Sequence, residues 1–341
     1  MDAPLVIPIF IPHQGCPHQC AFCNQTALTT GGRLPDPESI RQTIDSYLSY
    51  RGQRSRVELA FFGGNFMGLG REKMAHFLDI VAPHVERGEI HGLRCSTRPD
   101  TITMDTLAQV IPHKMDCIEL GIQSMSDAVL KRARRGHTAR QSLQALEAIK
   151  RAGIKTGVQV MVGLPDDTAE QMLQTAQILA EQKPDFARIY PLLVLNHSPL
   201  AHWYKKGGYT PMDLDKSVQI TKEIYKIFTR AGVKVIRMGL QASDFMEDDL
   251  NVLAGPWHPA FGHLVLSALV KEKAIWAISE LLTTLPQTDT IQLEIGSRWE
   301  SRLRGDKNKN LEQIQRIHPR FKIVLAHAPD LEENQIRARW A

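Results

Sequence analysis

The sequence predicts an α/β protein whose main body is a partial, all-parallel barrel, and three observations carry that prediction. Short β-rich runs alternate with longer amphipathic stretches over roughly the first 240 residues of the 341-residue chain, the pattern of repeated βα units. The β-rich runs are almost continuously apolar, as strands covered on both faces are. They also follow one another in order, without internal repeats, which favours a barrel or part of one over the alternative of a doubly wound sheet.

Strands are read at "LVIPIFI" (5–11), "VELAFFG" (57–63), "GLRCST" (92–97), "DCIELGI" (116–122), "TGVQVMVG" (156–163), "ARIYPLLVL" (187–195) and "VKVIRMG" (233–239). Helices are read at 37–50, 71–85, 142–153, 168–182 and 214–232. In the last, Ile220, Ile224 and Ile227 share one face at helical spacing. Two of these helices run into "RAG", a glycine stop before the next strand. The architecture expected is a (β/α)6 partial barrel over 1–240. After Gln241 the texture becomes acidic, then rich in Gly and Pro. A long helical stretch and the runs "TIQLEIG", "SRWESRLRG", "NLEQIQRIH" and "FKIVLAH" then suggest a small C-terminal α/β domain over 241–341, ordered β-α-α-β.

Composition excludes several classes. The chain is 43% apolar and 23% charged with a net charge of +4, so it needs no covalent staple to build a core. The mild positive excess permits a polyanionic partner without demanding one. No run reaches the ~18–20 apolar residues of a membrane span. The opening "LVIPIFIP" is short, contains Pro and lacks a basic leader, so it reads as a strand rather than a signal peptide. The expected location is cytoplasmic, where thiols stay reduced.

Three of the five cysteines sit in "GCPHQCAFCNQ". Cys16, Cys20 and Cys23 are spaced C-x3-C-x2-C in the loop after the first strand, which points to metal rather than disulfides. Thiolates select soft metals. A structural zinc site wants four closed ligands, and His13 or His18 could complete one. A four-iron cluster normally takes four cysteines. Cys95 and Cys117 lie in strands, where free cysteines act as small buried hydrophobes. Three ligands on a four-iron cluster leave one iron open to a small molecule.

The motif C-x3-C-x-Φ-C, with Phe22 before the last cysteine and a strand before the loop, resembles that of the radical S-adenosylmethionine (SAM) superfamily. "FFGGNF" (61–66) is similar to the glycine-rich segment that receives the SAM amino group. "STRPD" (96–100), "ELGIQS" (119–124), "RRGHT" (134–138), "GLP" (163–165) and the run 188–211 resemble the branch containing the catalytic subunit of Elongator. The resemblance covers about residues 1–240. It implies a radical-SAM-type partial barrel, a [4Fe–4S] cluster on Cys16, Cys20 and Cys23, and SAM on the fourth iron. One-electron cleavage of SAM would yield a radical that abstracts a substrate hydrogen, with electrons from a donor the sequence does not identify. It implies Phe22 against the cluster or adenine.

Further contacts are read from position. Gly63 and Gly64 either let SAM approach the backbone or make a tight turn. Asn65 stands where the superfamily often has Glu, so it is a neutral acceptor for the SAM ammonium. Arg98 pairs with the SAM carboxylate or with Asp100. Gln123 meets the SAM ribose or caps the helix from Ser126. Gln159, an amide inside a barrel, faces ligand. "KRARR" (131–135) is an anion-binding face or a solvated one. Tyr190 and Lys205 are substrate-side candidates.

The branch suggests tRNA as substrate. The length leaves no room for the acetyltransferase domain of the full Elongator subunit, and two remaining cysteines are too few for a second cluster. A porphyrinogen-oxidising role is the enzymatic alternative, weakened because Gln25 stands where a further cysteine is usual. The non-enzymatic alternative is a metal-stabilised RNA-binding protein. Residues 302–317 look faintly like a KH segment, though the GXXG loop lacks its second glycine after Gly305.

Overall fold

A computed structural model describes residues 4–11, 15–24, 34–240, 251–332 and 334–341. The chain passes β1 (Leu5–Phe10), β2 (Val57–Phe62), β3 (Gly92–Thr97), β4 (Met115–Gln123), β5 (Lys155–Val162), β6 (Phe186–Pro191), a two-residue β7 (Val194–Leu195) and β8 (Lys234–Met238). All but β7 join one parallel sheet in the order β1-β2-β3-β4-β5-β6-β8. The two edge strands do not pair, so the sheet is a partial barrel, with a seventh parallel strand beside β6. All seven strand segments read from the sequence are present.

Helices α1 (Pro37–Ser49), α2 (Arg71–Glu86), α3 (Met104–Val110), α4 (Asp127–Arg132), α5 (Ala139–Arg151), α6 (Ala169–Glu181), α7 (Pro199–Lys205) and α8 (Leu214–Arg230) fill the connections. Their starts are written locally. Thr138 with Gln141 and Thr168 with Gln171 form capping boxes for α5 and α6, and Asp36 and Asp213 cap α1 and α8.

Strand side chains alternate between faces. Ile7, Leu59, Phe61, Ile118, Leu120, Val158 and Ile189 are fully buried and join the core shared with Phe77, Leu78, Ile149, Leu179 and Phe228 of the helix layer. The other set, including Pro8, Arg94, Ser96, Glu119, Gln159 and Arg188, faces a cavity inside the curl. One face of the sheet is therefore conventional core, and the other is polar.

The C-terminal part is built on α9 (Phe261–Leu281) and a three-stranded sheet of β10 (Thr290–Ile295), β11 (Lys322–His327) and β12 (Ile336–Trp340), ordered β11-β10-β12. Helices α10 (Glu300–Arg304) and α11 (Lys309–Ile317) connect β10 to the parallel β11. Val270, Ala274 and Ile278 of α9 pack on Ile291, Leu293 and Ile295, while Phe261 and Val265 pack with Val218 of α8. Lys226 adds an ion pair to Glu272 at 2.6 Å. Residues 241–250, where the sequence places the change of texture, lie outside the described residues.

The β-α-α-β reading omits β12, which runs antiparallel to β10, and the pairing of β7 with β9 (Val252–Ala254). In β12, Ile336, Ala338 and Trp340 alternate with Arg337 and Arg339, a half-buried edge strand whose charges mask its period. Arg337 pairs with Glu294 at 2.6 Å, and Trp340 lies on Phe321. The KH-like loop is closed on itself. Asn310 Nδ2 donates to Arg302 O (3.1 Å) and to Ser267 Oγ (2.8 Å), and Lys307 and Asn308 take left-handed backbone in the turn.

The turn after β5, "GLPDD", holds one group whose energetics are testable. Both carboxyl oxygens of Asp167 are buried with no hydrogen-bond partner among the described residues. Burial raises its pKa from 3.8 to about 7. The folded chain then keeps this proton across a window in which the unfolded chain has released it. Stability therefore falls as pH rises from about 4 through about 7. Asp167→Asn should stabilise the protein at pH 8 by about 1–3 kcal/mol and change little at pH 4. Urea denaturation at the two pH values checks this, and an equal effect at both would contradict it.

Candidate active site

A cavity of about 790 Å3 runs from the carboxyl ends of the parallel strands down inside the sheet, the position at which such sheets leave room for ligand. The cysteine loop follows β1 and is fixed at both ends. At its start Gly15 has φ +83°, and a Cβ there would collide with the backbone of Asn65 and Gly68. Asn65 Nδ2 donates to Gly15 O (2.6 Å), and its Oδ1 accepts from Thr97 Oγ1 (2.6 Å) and the Arg98 amide (3.1 Å). Further on, the Ala21 amide donates to Ala133 O (2.9 Å), and the Leu200 amide donates to Ala21 O (2.7 Å).

Cys16, Cys20 and Cys23 all face the cavity. Cys20 is buried and the other two are half-buried. Burial pushes the Cys16 thiol up and takes that of Cys23 to about 12. Two buried arginines converge on Cys20. Arg135 Nη1 lies 3.0 Å and Arg98 Nη1 3.8 Å from its sulfur. Arg135 also donates to Gly121 O, and Arg98 donates to Arg135 O. Arg98 further chelates Asp100 through Nε (2.9 Å) and Nη2 (3.0 Å).

The remaining sequence candidates divide. Phe22, Gly63, Gly64, Gln123, Gln159 and Tyr190 line the same cavity. Phe22 packs its ring with Val129, Ala133 and Leu164, and Arg135 sits 6.0 Å over it. Gly63 has φ +91°, and a Cβ there would strike the Phe10 ring, so the tight turn is real whatever else the glycine does. Gln123 has φ +73° where β4 slips register against β5, and its Oε1 is buried without a partner among the described residues. It does not cap α4; Ser126 stands at that position. Asn65 is fully buried and spends its amide on the loop rather than lining the cavity. Lys205 ends α7, outside the cavity. His18 is exposed and covers Gly136; His13 and Gln25 lie outside the described residues. Cys95 and Cys117 are buried in their strands, with thiols pushed up by burial, Cys117 to about 12.

The "KRARR" run divides between two surroundings. Its helix ends at Arg132; Arg135 turns inward to Cys20, while Arg132 and Arg134 lie 4.4 Å and 5.2 Å from the Trp203 ring. The inward Arg94, Glu119, Arg188 and Arg237 line the same cavity, and sequence reasoning did not single them out. The available signal was a charged residue at alternate positions within otherwise apolar strands.

Comparison with known proteins fits this geometry. The radical SAM superfamily profile matches residues 10–179, and the radical SAM C-terminal domain profile matches 184–271. The chain belongs to the radical SAM superfamily. Within it, the tRNA uridine(34) acetyltransferase of Methanocaldococcus jannaschii is 25% identical over 255 residues, covering 63% of this chain and 47% of that protein. Elongator complex protein 3 of Homo sapiens is 25% identical over 251 residues, covering 60% and 46%. The solved archaeal Methanocaldococcus infernus Elp3 with an N-terminal deletion superposes with a TM-score of 0.63 at 20% identity, covering 86% of this chain and 71% of that one. The chain thus spans about half the length of these two curated relatives and is homologous to Elongator catalytic subunits.

This radical SAM protein is therefore an enzyme, and the cofactors of its superfamily are a [4Fe–4S] cluster and SAM. The residues present fit that pair. Three thiols come from one loop, two guanidiniums offset thiolate charge, and an unpartnered amide oxygen faces the same space. Among the described residues no three His, Cys, Asp or Glu side chains converge on one ion. No helix among the described residues is long and apolar enough to cross a membrane.

Proposed function

We propose that Cys16, Cys20 and Cys23 hold a [4Fe–4S] cluster and that this radical SAM enzyme cleaves SAM reductively to abstract a hydrogen from tRNA. The observation that carries the reading is one cavity shared by the three thiols, the buried Arg98 and Arg135, and the unpartnered Gln123 amide oxygen. When bound, cluster and SAM supply an electron and a hydrogen-abstracting radical. The chain's own work is to position and to exclude water. Arg135 and Arg98 offset negative charge at Cys20, Gly64 brings backbone to the mouth, and Gln123 offers an acceptor to a ligand hydroxyl. Phe22 walls the site with its ring.

tRNA is favoured by the names of the relatives and by one surface. Arg132 and Arg134 lie over the Trp203 ring of α7, the helix whose Leu200 amide holds the cysteine loop at Ala21, and His202, Lys205 and Lys206 belong to or follow the same helix. Cations ordered on an aromatic plane suit a nucleic-acid backbone and its bases.

The test is anaerobic reconstitution with iron and sulfide, then dithionite and SAM. About four irons per chain and release of 5′-deoxyadenosine are expected; one zinc and no cleavage would overturn the reading. For the partner, Trp203→Ala should weaken tRNA binding roughly tenfold, and Arg132→Gln should lower the salt slope by about one. Unchanged affinity and slope in both variants would remove tRNA from this face.

A further inference from the structure

A second cavity, of about 420 Å3, lies between α8 and α9, and none of its lining residues belongs to the cysteine-lined cavity. Its walls are two helix faces. Leu269, Glu272, Lys273 and Trp276 recur at helical spacing on α9, and Tyr225, Lys226, Thr229 and Arg230 do so on α8. Asn334, just ahead of β12, completes the lining. The C-terminal core is built from a different face of α9, through Val270, Ala274 and Ile278.

Two features of this lining have no use within the chain. The first is an indole. Trp276 is 65% exposed and lies in none of the hydrophobic clusters, beside the buried Leu269 and the half-buried Tyr225. A large ring left bare at the edge of a cavity forgoes the gain of burial, which a ligand can recover. The second is charge. Lys226, Arg230 and Lys273 line the cavity with one carboxylate, Glu272. That carboxylate is already held by Lys226 at 2.6 Å and by Lys222. Arg230 is exposed and pairs with no carboxylate among the described residues. Lys273 Nζ donates to Asn334 O at 3.1 Å and to Asn334 Oδ1. These neutral partners fix the ammonium without cancelling its charge, and burial holds its pKa below the ordinary value. An anion at this place would relieve that penalty.

A bare ring and two uncancelled cations around one small space are a selective combination. An apolar peptide would use the ring and strand the cations, whereas inorganic phosphate would use the cations and leave the ring bare. A nucleotide offers a flat base and a phosphate in one molecule, and the volume falls in the ~300–1,000 Å3 range of small-ligand sites. We propose that the cavity between α8 and α9 binds one nucleotide unit, its base on the Trp276 ring and its phosphate at Arg230 and Lys273. Base stacking on an aromatic ring tolerates any base, and a guanidinium presents paired donors to phosphate. The unit is a free mononucleotide or one unpaired nucleotide of an RNA strand; only the second source rests on the proposed function.

The experiment is calorimetric titration of the full, reconstituted chain with AMP and, separately, with a short single-stranded oligoadenylate and with inorganic phosphate. SAM is kept in excess without reductant, so that its own site is filled. AMP should bind more tightly than phosphate and quench tryptophan fluorescence. Trp276→Ala should weaken AMP binding roughly tenfold, and Trp276→Phe, which keeps a ring, should restore most of it. Arg230→Gln should weaken oligoadenylate severalfold and flatten its salt dependence by about 0.7 in slope. Trp276 and Arg230 are both exposed, so these variants keep the core intact. Oligoadenylate binding tighter than AMP would assign the site to an RNA strand, and AMP binding at least as tightly would assign it to a free nucleotide. Phosphate binding as tightly as AMP, or affinities that neither Trp276→Ala nor Arg230→Gln moves, would overturn the site. Absence of iron or of SAM cleavage would strike the proposed function and leave the effect of the Trp276 substitutions on AMP binding unaffected.

Discussion

Alanine at any one of Cys16, Cys20 or Cys23 is expected to reduce iron from about four per chain to below one and to take SAM cleavage to background. The three thiols come from a single fixed loop and face a single cavity, and among the described residues no other cysteine reaches it. The loop's anchors do not depend on the thiols. Gly15, Ala21 and Asn65 hold it through backbone atoms and one amide, so each variant should fold with a loss on the order of 1 kcal/mol from the small volume removed. Cys95→Ala and Cys117→Ala are the controls. Both thiols are buried in strands and kept protonated by burial, so these variants should lose about 1–2 kcal/mol of stability and keep the full iron content. Iron and sulfide counts, with electron paramagnetic resonance of the reduced protein, decide the matter. A folded Cys95→Ala protein without iron would mean that the ligand set is misassigned.

The parallel barrel was legible because its strands are apolar on the helix side and its helices carry their own start signals. Ile118, Leu120, Val158 and Ile189 mark strands by composition alone, and Thr138 and Thr168 mark helix starts by a residue and its partner three positions on. Of the candidate site, the sequence pointed to the cysteines and to Gln123, where a polar side chain ends an apolar strand, and the fold brings these to one cavity. The site was not legible where meaning depends on register. Arg188 and Arg237 are separated by 49 positions in the sequence and are neighbours only because β8 pairs with β6. Arg135 was hidden in a basic run whose arginines point two ways, inward to Cys20 and outward onto Trp203. Asn65 looked like a ligand contact because it follows two glycines at a strand end. Its amide instead completes the hydrogen bonds of the loop, a demand that only the folded contact between residues 15 and 65 creates.

Arg135→Met is expected to lower the cluster's reduction potential by about 60 mV, the one-electron equivalent of a tenfold change in equilibrium constant, and to slow SAM cleavage tenfold or more. The sign follows from charge. Reduction adds an electron beside Cys20, the Arg135 guanidinium 3.0 Å from that sulfur favours the more negative state, and removing it makes reduction harder. Methionine fills much of the same volume, so the change is in charge and donors rather than packing. It also leaves the Gly121 carbonyl without the donor it has now, at a cost of about 1–3 kcal/mol to stability. Arg135→Lys separates the two effects. A lysine keeps the charge but presents a single ammonium in place of a fork, so the potential should return most of the way while the bond to Gly121 and the seat over Phe22 are not both restored. A redox titration followed by electron paramagnetic resonance reads the potential, and urea denaturation of the same samples reads the stability. If the methionine variant kept the wild-type potential, Arg135 would be a scaffold for the β4 end, and the compensation of charge at Cys20 would fall to Arg98, whose guanidinium is already shared with Asp100.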